Sequence, residues 1–259
     1  MPDTSVIVIV MRIYAVADIH GKTKYIETLS RVSREFKPDV IVIAGDITGY
    51  FRWQSTIDQL DKIGRLDKIG QLDKIGRLDK IGQLDQLGQP SEKCRPPILC
   101  IRGNSDFKRM EPSLAKTKNL TLLGTSPHLV QGVPFVGTNG CIPLPFASRV
   151  CLGENQLFKT LLPHMDKKTI LVAHPPPRGI CDKVGNRFSA GSQNLLDFIK
   201  TTHPAMVLCG HIHEQAGMDF VPNCIPGTLV VNCAMNKDHH GAIIDLQKDT
   251  RPRVNFLQP

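Results

Sequence analysis

The sequence contains no run of about eighteen apolar residues, the length at which a membrane-spanning helix would be expected. Its basic residues are scattered, and none of them forms a block of more than two. A surface built to bind nucleic acid usually concentrates Lys and Arg on one face or along one helix. We therefore expect neither a membrane protein nor a dedicated nucleic-acid-binding module, although a net charge of +8 suits an anionic substrate.

No pair of cysteines has the Cys-x-x-Cys spacing, although the chain has eight cysteines. Cys100, Cys209 and Cys233 lie in apolar runs, where a free cysteine behaves as a small hydrophobic residue. The apolar stretch Ser5–Val10 is short and has no basic residue before it, so it makes a poor secretory signal. These features predict a protein of the reducing cytoplasm.

A chain of 259 residues with 41% hydrophobic residues can fill a large core. We expect a single domain over residues 1–259 with a hexapeptide-repeat insert at residues 60–89. The insert has five copies, LDKIGR, LDKIGQ, LDKIGR, LDKIGQ and LDQLGQ. Its Leu and Ile recur every three residues, which forms no fixed apolar stripe on an α-helix, and each copy carries a glycine. We expect the insert to form a helical or partly disordered surface segment that replaces the second crossover helix and makes few contacts with the core.

Five apolar runs each end in residues that can bind a metal ion. Such runs are typical of strands buried on both faces of a parallel sheet. The runs are Ile13–Ala17, Val40–Ala44, Ile98–Ile101, Ile170–Ala173 and Ala205–Cys209. The residues that follow them are Asp18 and His20, Asp46, Asn104, His174, and His211 with His213.

Parallel strands present their carboxyl ends on one side of a sheet, so these seven side chains are expected to converge there. A His-x-His pair alone is a weak signal and is more often an ordinary pair of loop histidines. Three Asp or Asn side chains and four imidazoles are too many ligands for one tetrahedral ion. They suit two ions that share a carboxylate, an arrangement that serves hydrolytic displacement at phosphorus.

The ordered set of motifs resembles the calcineurin-like metallophosphoesterase superfamily over about Met11 to Phe256. The motifs stand as Asp18-Ile19-His20, Gly45-Asp46, Gly103-Asn104-Ser105-Asp106, His174 and Gly210-His211-Ile212-His213. The resemblance implies an α/β fold, a four-layer α/β/β/α sandwich with the site at the carboxyl edge of its strands. All seven ligand positions match the family pattern. Ser105 departs from it, because most members have a histidine there.

The resemblance also implies the cofactors and the reaction. Asp18, His20, Asp46 and His213 would hold one divalent ion, and Asp46, Asn104, His174 and His211 the other. Imidazole and carboxylate ligands suit Mn²⁺, Fe²⁺, Zn²⁺ or Ni²⁺. The expected enzyme is a phosphoesterase, most simply a phosphodiesterase, in which a metal-bound hydroxide attacks phosphorus.

The expected catalytic residues are Asp46, Asn104 and Ser105, and the expected substrate-binding residues are Asn104 and Arg178. Arg178 follows the stiff segment Pro175-Pro176-Pro177, and a guanidinium group can bind phosphate through two hydrogen bonds. The family histidine at position 105 is thought to donate a proton to the leaving oxygen. A serine hydroxyl lacks that acidity, so we expect acidic leaving groups to be preferred.

Two alternatives stay open. The first is a nuclease of the same superfamily, but such nucleases usually carry a capping domain, and we expect none after the last motif. The second is a non-catalytic scaffold that binds other proteins. The retromer subunit that has this fold looks like such a scaffold, because it has lost its capability to bind metals. The complete ligand set favours an enzyme. The phosphoester, the metal and the oligomeric state are not specified by the sequence.

The remaining patterns predict secondary structure. Apolar residues at helical spacing predict helix Thr23–Phe36, and Ser192 is expected to cap helix Gln193–Thr202. The short runs Leu120–Leu123 and Pro134–Val136 are expected to belong to a second sheet. Three last runs are expected to close the chain as antiparallel strands, namely Thr228–Asn232, Ala242–Leu246 and Val254–Phe256.

Overall fold

The computed structural model describes residues 9–49, 53–63, 96–139, 154–185, 187–224, 227–247 and 250–259. Strands and helices alternate through much of the described chain. The elements are β1 (Ile9–Val16), α1 (Thr23–Phe36), β2 (Val40–Ala44), α2 (Trp53–Asp61), β3 (Ile98–Ile101), α3 (Glu111–Leu114), β4 (Leu120–Leu122), β5 (His128–Val130), β6 (Val133–Thr138), α4 (Glu154–Leu161), β7 (Ile170–Ala173), β8 (Lys183–Val184), β9 (Phe188–Ser189), α5 (Gln193–Thr202), β10 (Met206–Cys209), β11 (Gly217–Phe220), β12 (Leu229–Asn232), β13 (Ala242–Gln247) and β14 (Arg253–Phe256).

Most of the described strands belong to two mixed sheets. The first sheet has the order β14-β13-β1-β2-β3-β4, and the second has the order β11-β12-β10-β7-β6-β5. Strands β1 to β4 are parallel to one another, and so are β6, β7, β10 and β12. The antiparallel strands β13, β14, β5 and β11 lie towards the sheet edges. Strands β8 and β9 form a separate small hairpin.

The alternation of side chains along each strand builds the layers. Ile13 and Ala15 of β1 point into a core that also contains Val172 of β7 and Leu208 of β10, so this core lies between the two sheets. Their neighbour Tyr14 points the other way and packs with residues of α1 and α2. On the outer face of the second sheet, strand residues pack against α4 and α5. The expected four-layer α/β/β/α sandwich is confirmed.

Helices α1 and α5 have the bounds that their apolar spacing predicts. Helix α1 buries Ile26, Leu29 and Val32, which lie on one face of the helix. Helix α5 begins where the Ser192 hydroxyl accepts a hydrogen bond from the Leu195 N–H over 3.0 Å, as predicted. Helix α1 packs on the outer face of the first sheet, and α5 packs on the outer face of the second.

Two predicted strand assignments are wrong. Strand β4 belongs to the first sheet and not the second, because Leu120 pairs with Ile98 of β3. Strand β12 runs parallel to β10, with Leu229 beside Met206, and is antiparallel only to β11. A run of four or five apolar residues predicts a buried strand, but it carries no information about its partner or direction.

The first hexapeptide copy contributes to the core, contrary to the expectation of few core contacts. Helix α2 extends into this copy, and its Leu60 and the following Ile63 are 0% and 2% exposed. Asp61 Oδ1 accepts hydrogen bonds from the backbone N–H groups of Lys118 and Asn119, each over 3.0 Å. Residues 64–95, which include the other copies, lie outside the described residues, so the expectation for them stays a prediction.

Within the described ranges, no helix is long and apolar enough to cross a membrane.

Candidate metal centre

The structure brings all seven sequence-predicted ligands together at the carboxyl edge of the two parallel strand sets. Strands β1, β2 and β3 of the first sheet lead to Asp18 and His20, Asp46, and Asn104 respectively. Strands β7 and β10 of the second sheet lead to His174, and to His211 and His213. Both sheets therefore contribute to one site, which lies where their strands end.

Asp18, His20 and His213 form the first half of the site. Asp18 Oδ1 lies 3.1 Å from His213 Nε2 and 3.9 Å from His20 Nε2. The Nε2 atoms of the two histidines are 3.4 Å apart. Three potential ligand atoms thus face a common point, and all of them lie within 4.8 Å of one another.

Asn104, His174 and His211 form the second half. Asn104 Oδ1 lies 3.0 Å from His174 Nε2 and 3.2 Å from His211 Nδ1. The opposite ring atom of His174, Nδ1, is 2.8 Å from the carbonyl oxygen of Ala44. That contact fixes the ring and leaves Nε2 facing the site, as is usual for a histidine that binds a metal.

Asp46 lies between the two halves. Its Oδ2 atom is 3.7 Å from His20 Nε2, and its Oδ1 atom is 3.5 Å from His174 Nε2. One carboxylate oxygen therefore faces each half, which is the geometry required of a shared ligand. Asp18 also approaches the second half, because its Oδ1 atom lies 4.0 Å from His174 Nε2.

The backbone at the site is held in an uncommon conformation. Asp18, His20, Asp46 and His211 have φ values of 62°, 49°, 50° and 71°. Non-glycine residues rarely adopt this left-handed region, and such residues cluster at functional sites. Four of the seven residues that meet at the site therefore share this backbone conformation.

Electrostatics link the buried members of the site. Burial alone would lower the pKa of His174, but the facing Asp46 carboxylate offsets this and raises the pKa to about 9. Burial also opposes ionisation of Asp46, yet His174 and the hydrogen bond from Ser105 hold the pKa of that carboxyl below its usual range. Burial and the neighbouring His174 lower the pKa of His211 to about 4. The site thus combines ionised carboxylate with imidazoles of different basicity.

Ser105 and Asp106 follow Asn104 but face different surroundings. The Ser105 N–H donates a hydrogen bond of 2.8 Å to Asp46 Oδ1, and its hydroxyl lies 3.4 Å from His20 Nδ1. The buried Asp106 carboxylate accepts hydrogen bonds from the N–H groups of Ile47, Thr48 and Gly103. Asp106 therefore ties the loop after β2 to the loop after β3, and it holds Asp46 and Asn104 side by side.

Arg178 is exposed on the loop after His174. Its backbone N–H donates to the carbonyl oxygen of Ser192 over 2.9 Å, which anchors this loop to the start of α5. The structure thus places Arg178 directly after the prolines that follow the predicted ligand His174. A role in binding phosphate stays a prediction for this side chain.

Two asparagines that the sequence patterns did not single out hold the turn containing His211 and His213. The fully buried Asn232 donates to the carbonyl oxygen of Ile212 over 3.0 Å. The Asn236 side chain donates to the carbonyl oxygen of His213 over 2.6 Å. Asn232 ends an apolar run, which is the same local signal that marked the ligands, but its partners are distant in sequence.

The chemistry of the site fits divalent cations. Asp18 Oδ1 is buried and accepts no well-formed hydrogen bond, although it faces imidazole nitrogens of both halves. A buried carboxylate oxygen needs a hydrogen-bond donor or a positive charge beside it, and a cation between these side chains would supply that charge. The described residues contain two groups that could hold a metal ion: Asp18 with His20 and His213, and Asp18 with Asp46 and His174.

The model of the calcineurin-like phosphoesterase family matches residues 11–215. The chain belongs to this family. The match covers most of the chain and includes all seven predicted ligands. Members of the family usually bind divalent metals, which agrees with the ligand types found here. The suspected family is therefore confirmed, and the coarse function that follows is that of a phosphoesterase.

The chain is 25% identical over 231 residues to an uncharacterized protein, MJ1162, of Methanocaldococcus jannaschii, a match that covers 86% of this chain and 87% of the relative. The structure of TT1561 of Thermus thermophilus superposes with a TM-score of 0.64 at 14% identity, covering 97% and 99% of the two chains. A structure described as GAP50, the anchor in the inner membrane complex of Plasmodium, gives a TM-score of 0.54 at 12% identity over 96% and 84%. These two structures support the fold alone.

Proposed function

We propose that the protein is a phosphodiesterase that depends on two divalent metal ions. The observation that carries the proposal is the position of Asp46, with one carboxylate oxygen facing His20 and the other facing His174. A carboxylate in this position can be shared by two cations about 3.5–4 Å apart, as in other two-metal hydrolases. The family supports the coarser activity, and the two ions and the diester are our inference.

The ligands divide between the ions as the resemblance implies. Asp18, His20, Asp46 and His213 would hold one cation, and Asp46, Asn104, His174 and His211 the other. Manganese, iron, zinc or nickel would suit this donor set. Two such cations, when bound, would lower the pKa of a water molecule and neutralise charge on the phosphate oxygens.

The chain's own residues have separate tasks in this proposal. Asp46 keeps the two halves of the site at a fixed separation, and its left-handed backbone and the Ser105 N–H keep its carboxylate in place. Asn104 is exposed enough to contact substrate as well as a cation, so its side-chain amide can donate to a phosphate oxygen. Arg178 would contact the phosphate from the loop beyond His174.

A diester with an acidic leaving group is the substrate class that fits best. Position 105 offers no imidazole to protonate a leaving oxygen, and Asp106 is fully engaged with backbone N–H groups. General acid assistance is worth about 10²- to 10⁴-fold, and it matters most when the leaving group is basic. A nuclease or a non-catalytic scaffold of this fold would give different outcomes in the following experiment.

The experiment is a substrate panel for the Mn²⁺-loaded protein. The panel contains 4-nitrophenyl phosphate, bis(4-nitrophenyl) phosphate, an alkyl 4-nitrophenyl diester, and single- and double-stranded DNA. We expect the aryl diesters to be hydrolysed fastest, and His213→Ala to abolish this activity. The exposed His164 on the turn after α4 provides the control, and His164→Ala should retain wild-type turnover.

Preferred hydrolysis of DNA would favour the nuclease. No hydrolysis of any member of the panel by protein that has bound Mn²⁺ would favour the scaffold. Either result would overturn the phosphodiesterase proposal.

A further inference from the structure

Ser105 contacts two side chains of the metal centre, Asp46 between the halves and His20 of the first half, although it is not itself one of the predicted ligands. The residue is 5% exposed and lies on the loop that follows β3. Its backbone N–H donates to Asp46 Oδ1 over 2.8 Å, and its hydroxyl oxygen lies 3.4 Å from His20 Nδ1. The serine side chain therefore faces the back of a ligand and has little surface in the open part of the site.

The two ring nitrogens of His20 have different surroundings. Nε2 faces His213 Nε2, Asp46 Oδ2 and Asp18 Oδ1, at 3.4, 3.7 and 3.9 Å. Nε2 is therefore the atom that His20 offers to a cation, and it must be unprotonated when it binds one. In the neutral imidazole the proton then resides on Nδ1, and the atom next to Nδ1 is the Ser105 oxygen.

A histidine that binds a metal usually donates its other ring N–H to an oxygen, which fixes both the tautomer and the ring orientation. His174 has such a partner in the carbonyl oxygen of Ala44, at 2.8 Å from its Nδ1. For His20 the corresponding partner is a side-chain hydroxyl. The backbone of His20, which has a φ of 49°, is held separately, because its N–H donates to the carbonyl oxygen of Asp46 over 2.8 Å.

We propose that Ser105 is a positioning residue of the metal centre and not the proton donor of the reaction. Its hydroxyl accepts a hydrogen bond from His20 Nδ1–H and selects the tautomer that leaves Nε2 free to bind. Its backbone N–H holds the Asp46 carboxylate between the two halves. This inference rests on the proposed function, since it assigns a task within that same metal centre.

The first test is the affinity of the protein for Mn²⁺ and Co²⁺. Ser105→Ala removes the hydroxyl but keeps the backbone N–H, so we expect the ion beside His20 to bind roughly 10- to 100-fold more weakly, while the other ion is unaffected. The Co²⁺ absorption spectrum of the weakened position should change. Ser105→Thr retains a hydroxyl and should restore both affinity and spectrum. Ser33→Ala, at a buried serine of α1, is the control.

The second test separates positioning from proton donation. It uses the dependence of log kcat on leaving-group pKa for a series of aryl diesters, with every variant saturated in Mn²⁺. A positioning residue leaves this slope unchanged in Ser105→Ala, whereas loss of a general acid would make the slope steeper. Wild-type metal affinity combined with a steeper slope would show that Ser105 is the acid and would overturn the proposal.

If Ser105→Ala has both the metal affinity of the wild type and an unchanged dependence on leaving-group pKa, the proposal for Ser105 is also overturned, because the hydroxyl would then contribute to neither metal binding nor proton donation. The proposed function can fail independently of the role of Ser105. It fails if the wild-type protein binds two ions but hydrolyses none of the esters. In that case the Mn²⁺ and Co²⁺ measurements on Ser105→Ala and Ser105→Thr still decide the role of Ser105. A wild-type chain that binds neither metal would overturn both proposals.

Discussion

Gly103 packs directly against the carboxylate that both halves of the site share. A Cβ atom on Gly103 would lie 2.8 Å from Asp46 Cγ and closer still to Asp46 Oδ1. The Gly103 N–H also donates to the Asp106 carboxylate, so the backbone there cannot withdraw without losing that contact. A methyl group at position 103 would therefore displace Asp46 from its place between His20 and His174.

We expect Gly103→Ala to lower kcat by roughly 100-fold and to weaken Mn²⁺ binding, a loss comparable to removing a residue that supports a ligand. Overpacking should also destabilise the fold by about 1–3 kcal/mol. Steady-state kinetics and metal titration test this together. Gly124→Ala is the control, because a Cβ on the exposed Gly124 would meet no atom within 4 Å. Wild-type metal affinity and turnover in Gly103→Ala would contradict the account of Asp46.

The meeting of the seven predicted ligands at one site could be predicted from the sequence, whereas the contacts that support them could not. Each ligand follows an apolar run and belongs to a short motif, so local sequence identifies it. Asn236 reaches the carbonyl oxygen of His213 from 23 residues away, and Ser105 approaches His20 from 85 residues away. Contacts of this kind depend on the tertiary arrangement, and no local spacing predicts them.

Helix α5 starts at a side-chain N-cap, and the capping residue also holds the loop that carries Arg178. The Ser192 hydroxyl accepts from the Leu195 N–H, while the backbone of Ser192 pairs with Pro176 and Arg178. Ser192 is fully buried, so a lost hydrogen bond there cannot be replaced readily by water. The cap therefore links helix stability to the segment after His174.

We expect Ser192→Ala to lower the free energy of unfolding by about 1 kcal/mol, the usual loss for removing a helix N-cap. Urea denaturation measures this change as a lower midpoint with an unchanged slope. Ser55→Ala, at an exposed serine of α2, is the control and should change stability by less than about 0.5 kcal/mol. Equal stability losses in the two variants would argue against the capping interaction.

Element bounds follow from apolar patterns better than element partners do. The sequence predicts α1, β2, β3 and α5 at the bounds that the structure has. The hairpin of β8 and β9 was not predicted, because two-residue strands are too short to show an alternating pattern. The sheet of β4 and the direction of β12 depend on pairing with distant strands, and those assignments were wrong for that reason.

At the scale of the whole molecule, the site exists because two sheets end at the same edge. The core between them joins Ile13 and Ala15 of the first sheet to Val172 and Leu208 of the second. This packing brings His174 to within 3.5 Å of Asp46, although each follows a strand of a different sheet. The four layers were expected from the family resemblance, since strand patterns alone do not specify how two sheets pack.

The central claim is that Asp46 joins two metal ions in one hydrolytic site. The measurement that tests it is a Mn²⁺ titration of chelator-stripped protein, followed by the hydrolysis of bis(4-nitrophenyl) phosphate. We predict that stripping abolishes hydrolysis, that activity returns as two Mn²⁺ bind per chain, and that Asp46→Ala turns over at least roughly 10³-fold more slowly. Wild-type turnover in Asp46→Ala, or full activity in the stripped protein, would contradict the account.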